Sequence, residues 1–265
     1  MAGKDRKKQL ARQRYERQQA RRAAQARQAR RVRVVGSAVA VAVIAGGGAG
    51  IVALVGGDDG GNADASSSPS TPPPTDGAPK QEISFKGVDV KTDPNGGSAE
   101  CKYLKSEDDQ DPPKGLDRPP STAAYKGKVK VTLKTSLGDV GMELDASKAP
   151  CTTNSFVHLA KEKFFDKSKC HRLTTGNLAV LQCGDPTGTG MGGPGYRFAN
   201  ENTKGAKYTR GVLAMAHSAQ PDSNGSQFFI VYKDSQLDPD YTIFGKITSG
   251  MDVIDKVAAA GVAAQ

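Results

Sequence analysis

Residues 34–55, VVGSAVAVAVIAGGGAGIVALV, run for 22 positions without a charged side chain. As a helix rising ~1.5 Å per residue, such a run spans about 33 Å, against ~30 Å for the hydrocarbon core of a bilayer. A buried helix in a soluble core would need apolar sequence around it, and the flanking segments offer none. Gly46, Gly47, Gly48 and Gly50 make a poor helix in water, whereas membrane helices tolerate glycine. The competing reading is a cleaved signal peptide. The segment ahead of the run is long for one, no clear A-x-A site follows, and no cysteine stands there for lipid attachment. Arg30-Arg31 is a faint twin-arginine signal. The sequence therefore predicts a transmembrane helix over 34–55.

The charge distribution orients that helix. The formal charge is +9, but residues 1–33 hold 13 Lys/Arg against Asp5 and Glu16, and the remaining residues sum to −2. The Lys/Arg excess precedes the span and Asp58-Asp59 follow it. The positive-inside rule then puts the tail in the cytoplasm and everything after the span outside. Residues 1–33 read as a basic tail near anionic lipid head groups, worth roughly 1 kcal/mol per cation. No nucleic-acid partner is expected, because Tyr15 is the tail's one aromatic residue able to stack on a base.

Residues 56–80 are a Gly/Ser/Pro linker that cannot form a core. Residues 81–122 read as an extended prelude. Ile83–Val90, ISFKGVDV, alternates like a strand, and Cys101 and Tyr103 stand as isolated anchors in a stretch rich in Asp, Pro and Gly. Residues 123–265 hold the one globular domain. KVKVTLKTSLGDVGMEL alternates on both sides of a turn at Ser136–Asp139, which predicts a β-hairpin. Pro150 opens a helix with Phe156, Leu159 and Ala160 on one face. Strand-like runs follow at KCHRL, NLAVLQCG, GVLAMAH, QFFIVY and YTIFGKI, and MDVIDKVAAA predicts a second helix. Many short strands with two helices give a mainly β fold, a barrel capped by helices.

Classical catalytic constellations are missing. No histidine has a Ser or Cys partner in a nucleophile motif, and GDPTGTGMGGPG lacks the Lys and Ser/Thr of a phosphate-binding loop. That glycine-rich stretch reads instead as a surface loop needing positive φ. Cys101, Cys151, Cys170 and Cys183 form no CxxC pair, so no metal site is expected. No cofactor is implied.

Four motifs in order carry a resemblance: CHRL at 170–173, VLQCGD at 180–185, SNGSQFFI at 223–230 and FGKI at 244–247. Over roughly 128–260 the chain resembles the cyclophilins, and the tail, span and Pro-rich linker look like membrane-anchored bacterial members. The resemblance implies an antiparallel β-barrel of eight strands with two capping helices and a proline-binding groove on its outer surface. It implies peptidyl-prolyl cis–trans isomerase activity on proline-containing polypeptides, with Arg172 as catalytic residue, Gln182 as its support and Phe229 as the floor of the proline pocket. Gln227 and the backbone around Ala216 would hold the substrate chain. Val180 and Leu237 would help grip the ring, with His217 and Tyr241 beside them. The alternative is a non-catalytic module that binds proline-containing segments.

The residue types suit that chemistry on their own terms. Amide resonance sets the barrier to X-Pro isomerisation near ~20 kcal/mol. In the twisted transition state the proline nitrogen turns pyramidal and basic, so a fixed guanidinium can donate to it selectively. An arginine keeps its charge at any working pH.

Departures from the family pattern carry expectations of their own. LTTGNLAVLQ is two residues longer than usual and has Leu178 or Ala179 where a Phe is common. His217 replaces an Asn and Tyr241 a His. Gln236 stands where sensitive members have the Trp that contacts cyclosporin, so cyclosporin binding is expected to be weak. No strand-like run follows the last helix, which predicts an unpaired edge beside Lys128–Leu133 unless the natural chain continues beyond Gln265 or Ile83–Val90 returns to that edge. Strict alternation puts Cys170 on the outer side with Arg172 and Cys183 inward, which predicts a Cys151–Cys170 disulfide and leaves Cys101 with Cys183.

Overall fold

The structure is a computed structural model and describes residues 75–263. The predicted span 34–55 and the basic tail 1–33 lie outside the described residues, among which no helix is long and apolar enough to cross a membrane. In chain order the elements are β1 (Asp76–Gly77), β2 (Phe85–Val90), β3 (Leu104–Lys105), β4 (Lys128–Thr135), β5 (Gly138–Asp145), α1 (Pro150–Lys161), β6 (Arg172–Thr174), β7 (Val180–Cys183), β8 (Tyr196–Arg197), β9 (Val212–Met215), β10 (Phe228–Val231), β11 (Ile243–Ser249) and α2 (Met251–Ala260).

Nine strands form one antiparallel sheet in the order β1-β6-β7-β10-β9-β11-β5-β4-β2, and β3 pairs with β8 in a separate ribbon. The predicted hairpin is β4–β5, paired residue for residue from Lys128↔Asp145 to Thr135↔Gly138. Its alternation buries Val129, Val131 and Leu133 from β4 and Val140, Met142 and Leu144 from β5. Those side chains meet Phe156 and Leu159 of α1 and Val253, Ile254 and Val257 of α2 in one core. Pro150 starts α1, and Glu201 accepts from the backbone N–H of Cys151 and of Thr152, which places a carboxylate on the helix N-terminus.

The edge beside β4 is covered. β2, from the prelude, runs antiparallel to β4 with Val88↔Leu133 and Val90↔Val131. The register shifts between Phe85 and Gly87, so the glycine sits at an irregularity of the ladder. Ile83 and Phe85 are buried in the common core, and Phe85 stacks on Phe228 at 6.4 Å. The same stretch also pairs on its other side. The Phe85 amide donates to Ser168, the Lys167 amide to Phe85 and the Cys170 amide to Ile83. Since residues 167–170 lead into β6, the prelude joins the two ends of the curled sheet. Further along, Tyr103 is buried, donates to the Cys151 carbonyl and packs edge-on against Tyr196 and Phe198.

The disulfides are Cys101–Cys151 and Cys170–Cys183, not Cys151–Cys170 with Cys101–Cys183. The expectation failed because alternation does not hold ahead of β6. His171 and Arg172 are successive half-buried residues, and Cys170 before them is 1% exposed. Cys170 therefore points inward, as Cys183 does, with Cα atoms 4.0 Å apart. The Cys101–Cys151 bridge ties the prelude to the start of α1.

Candidate active site

The sheet register assembles the site. Arg172 on β6 is the cross-strand partner of Gln182 on β7, and Gln182 is the partner of Phe229 on β10. Phe229 in turn faces Ala214 on β9. Residues directly opposite one another share a face of the sheet, with strands ~4.8 Å apart. A single row thus carries a cation, an amide, an aromatic ring and a methyl group across four strands. Their neighbours Leu173, Leu181, Phe228 and Leu213 point the other way, into the core enclosed by the curled sheet.

Around Phe229 the outer face holds a second apolar cluster of Val180, Tyr208, Ala214, Phe229 and Val231, flanked by Leu178, Ala216, Leu237 and Tyr241. The predicted pocket residues Val180, Phe229, Ala216, Leu237 and Tyr241 are therefore together, with Leu178 packed beside them. Tyr241 meets the Phe229 ring edge-on at 5.6 Å and the His217 ring at 4.6 Å. The Nδ1 and Nε2 atoms of His217 lie 2.7 and 2.9 Å from the carbonyls of Ser218 and Asp240.

The polar side of the site is a chain of oriented groups. Arg172 NH1 donates to Gln182 Oε1 at 3.1 Å, and Gln182 Nε2 donates to Gln227 Oε1 at 2.8 Å. Gln227 Nε2 then donates to the carbonyls of Gly190 and Gly192. A guanidinium only donates, so it sets the direction of both amides. The two carbonyls belong to the glycine-rich loop, which is built around Asp185. That carboxylate accepts from the amide and hydroxyl of Thr187 at 2.7 Å each and from the Gly190 amide at 2.6 Å. Burial opposes its ionisation, but these donors outweigh burial and hold its pKa below the ordinary value. A Cβ on residue 192 would lie 2.1 Å from Asp185 Oδ1, so only glycine fits there.

His171 lies on the inner side of this loop. Burial pushes its pKa below the ordinary value, with the nearby Asp185 charge and the Gln227 side chain opposing and the Arg172 charge adding to the depression. Beside Gln227 opens a cleft of about 250 Å³, lined among others by Asp108, Asp109, Gln182, Met191, Ala216 and Gln227. Asp109 comes from the prelude and caps the Gly195 amide at 2.7 Å.

Three participants escaped sequence reading. Tyr208 lies in a loop, and its hydroxyl accepts from the Tyr241 amide and donates to the Tyr241 carbonyl. Asp109 sits in a stretch without periodicity. Asp76 lies in the linker and pairs with Arg172 through both carboxylate oxygens, Nε to Oδ1 and NH2 to Oδ2 at 2.8 Å each.

Residues 130–265 match the family model for the cyclophilin-type peptidyl-prolyl cis-trans isomerases, half of the chain. Among curated proteins, the chain is 47% identical over 179 residues to "Probable peptidyl-prolyl cis-trans isomerase B" of Mycobacterium tuberculosis. That match covers 62% of this chain and 58% of the relative's length, so the chain spans well under two thirds of that protein. A peptidyl-prolyl cis-trans isomerase of Helicobacter pylori is 44% identical over 130 residues, covering 48% of this chain and 78% of the relative. A solved cyclophilin-type isomerase of Cryptosporidium parvum is 36% identical with a TM-score of 0.42, covering 46% of this chain and 78% of that one. The curled, mainly β sheet with two helices is cyclophilin-like. The chain belongs to the cyclophilin-type peptidyl-prolyl cis-trans isomerase family.

Proposed function

We propose that this chain accelerates cis–trans isomerisation of X-Pro bonds in polypeptides, with Arg172 as the electrostatic catalyst. The observation that carries the reading is the cross-strand row Arg172–Gln182–Phe229. The apolar cluster around Phe229 grips the proline ring, while the peptide on the other side of the bond turns. Arg172, braced by Gln182, donates to the proline nitrogen as it becomes pyramidal. A planar amide nitrogen has its lone pair in resonance and accepts poorly, so the interaction strengthens toward the transition state. No proton moves and no covalent bond forms. Gln227 and the backbone beside Ala216 hold the substrate chain along the cleft. Exchange NMR on a short Ala-Pro peptide with the full chain tests the reading. Accelerated exchange between cis and trans signals supports catalysis. Binding shifts without acceleration leave a proline-binding module.

The same proposal places the domain outside the cytoplasm, tethered through 34–55. Its support is the uncharged run behind a tail that holds 13 Lys/Arg. Clients are then secreted or envelope proteins. Protease added to intact spheroplasts should release the domain; cleavage of the tail with the domain protected would reverse the orientation.

A further inference from the structure

Arg172 is gripped from two sides. Gln182 holds NH1 from β7, the side on which the groove lies, since β10 and β9 follow β7 in the sheet. Asp76 holds Nε and NH2 from β1, on the opposite flank of β6. The carboxylate therefore backs the guanidinium rather than standing between it and the groove.

Asp76 is itself fixed. Its strand pairs with β6 through Asp76↔Thr174 and Gly77↔Leu173. On one side the Thr175 amide donates to the Thr75 carbonyl and the Thr75 amide to the Thr175 hydroxyl. On the other, the Ala263 amide donates to Ala78 and the Lys80 amide to Gly261. An exposed ion pair between two mobile side chains contributes little. This one differs, because one partner sits on a backbone held at both ends and the contact is bidentate, which fixes the guanidinium plane.

The donor count also fits. A guanidinium has five N–H donors. Asp76 takes two and Gln182 one. One N–H on each terminal nitrogen remains for substrate.

We propose that Asp76 is a positioning residue for Arg172, so that the stretch 75–80 ahead of the domain completes the active site. This rests on the isomerase reading above. Two effects of the carboxylate compete, and they differ in sign. It orients the guanidinium, which raises the rate, and it drains positive charge from the donor, which lowers it. A side chain with four rotatable bonds and a single 3.1 Å bond to Gln182 would spend little time aligned. Orientation outweighs the loss of charge.

The test uses the full chain. Asp76→Ala should lower kcat about 5- to 20-fold with KM within twofold, and Asp76→Glu should recover activity to within about threefold of wild type. Glu82→Ala, which removes another prelude ion pair (Glu82–Lys169, 3.1 Å), should leave kcat unchanged. A second readout is independent of turnover: the Arg172 Nε–H NMR signal, assigned by its loss in Arg172→Ala. It should be sharp in wild type and Asp76→Glu and broadened in Asp76→Ala. Unchanged or raised kcat in Asp76→Ala overturns the inference, as does an Arg172 signal indifferent to Asp76. A wild-type protein that shows the sharp signal but no isomerisation would refute the isomerase reading and leave the clamp standing.

Discussion

Phe85→Ala probes whether the prelude belongs to the fold or rests on it. Phe85 is 2% exposed, stacks on Phe228, and its backbone bonds to both Ser168 and Lys167 where the sheet closes. Truncating a buried phenylalanine costs about 3–5 kcal/mol, part lost transfer energy and part cavity. Area gives the same scale: ~150 Å² of ring surface at ~25 cal/mol per Å² is about 4 kcal/mol. For a domain of this size each kcal/mol moves Tm by roughly 2–4 °C, so the loss should lie at about 6–20 °C. Thermal unfolding of the full chain in mild detergent, followed by circular dichroism, measures it. Phe85→Leu, which keeps most of the volume, should cost far less. A Tm within about 2 °C of wild type for Phe85→Ala would mean that the prelude does not share the core and that β2 does not close the sheet.

Three further outcomes follow from the same contacts. Replacing Cys101 and Cys151 by Ser should destabilise by about 4 kcal/mol, and replacing Cys170 and Cys183 by about 3, because the longer loop loses more closure entropy; chemical denaturation of each pair decides, and a reversed order would contradict the entropic account. His171, with its pKa pushed below the ordinary 6.5 by burial, binds fewer protons folded than unfolded, so its contribution to stability is present above pH ~6.5 and is lost as pH falls through the folded value. Denaturation midpoints between pH 7.5 and 5 should therefore drop, and the drop should shrink in His171→Gln; an equal drop would refute the assignment. Cyclosporin should inhibit weakly, since exposed Gln236 offers no indole N–H and no broad apolar face, and Gln236→Trp should tighten it; tight inhibition of the native chain would sink that reading.

The legible parts of the fold are those governed by simple periods. Alternation in Lys128–Thr135 and Gly138–Asp145 gave the hairpin, and the 3.6-residue spacing of Phe156, Leu159 and Ala160 gave α1. The outer-face row was legible through the motifs CHRL, VLQCGD and SNGSQFFI and their resemblance to a family, not through periodicity; the strand register then sets Arg172, Gln182 and Phe229 opposite one another. Where the period breaks, reading failed. One irregular step at His171 turned Cys170 inward and with it the disulfide pairing. Asp76 was invisible for another reason. A two-residue strand in a Gly/Pro-rich linker has no pattern, and its partner lies 96 positions away. Tyr208 and the β3–β8 ribbon share that problem, since they depend on loops meeting in space.

In the proposed mechanism Arg172, held by Gln182 beside the Phe229 cluster, speeds X-Pro isomerisation by favouring the twisted amide. The direct measurement is kcat/KM of the full chain and of folded Arg172→Ala on one proline peptide, by exchange NMR. It should fall by on the order of 10²–10³ with Tm little changed, the scale of losing one oriented electrostatic donor. Near-wild-type turnover in folded Arg172→Ala would contradict it.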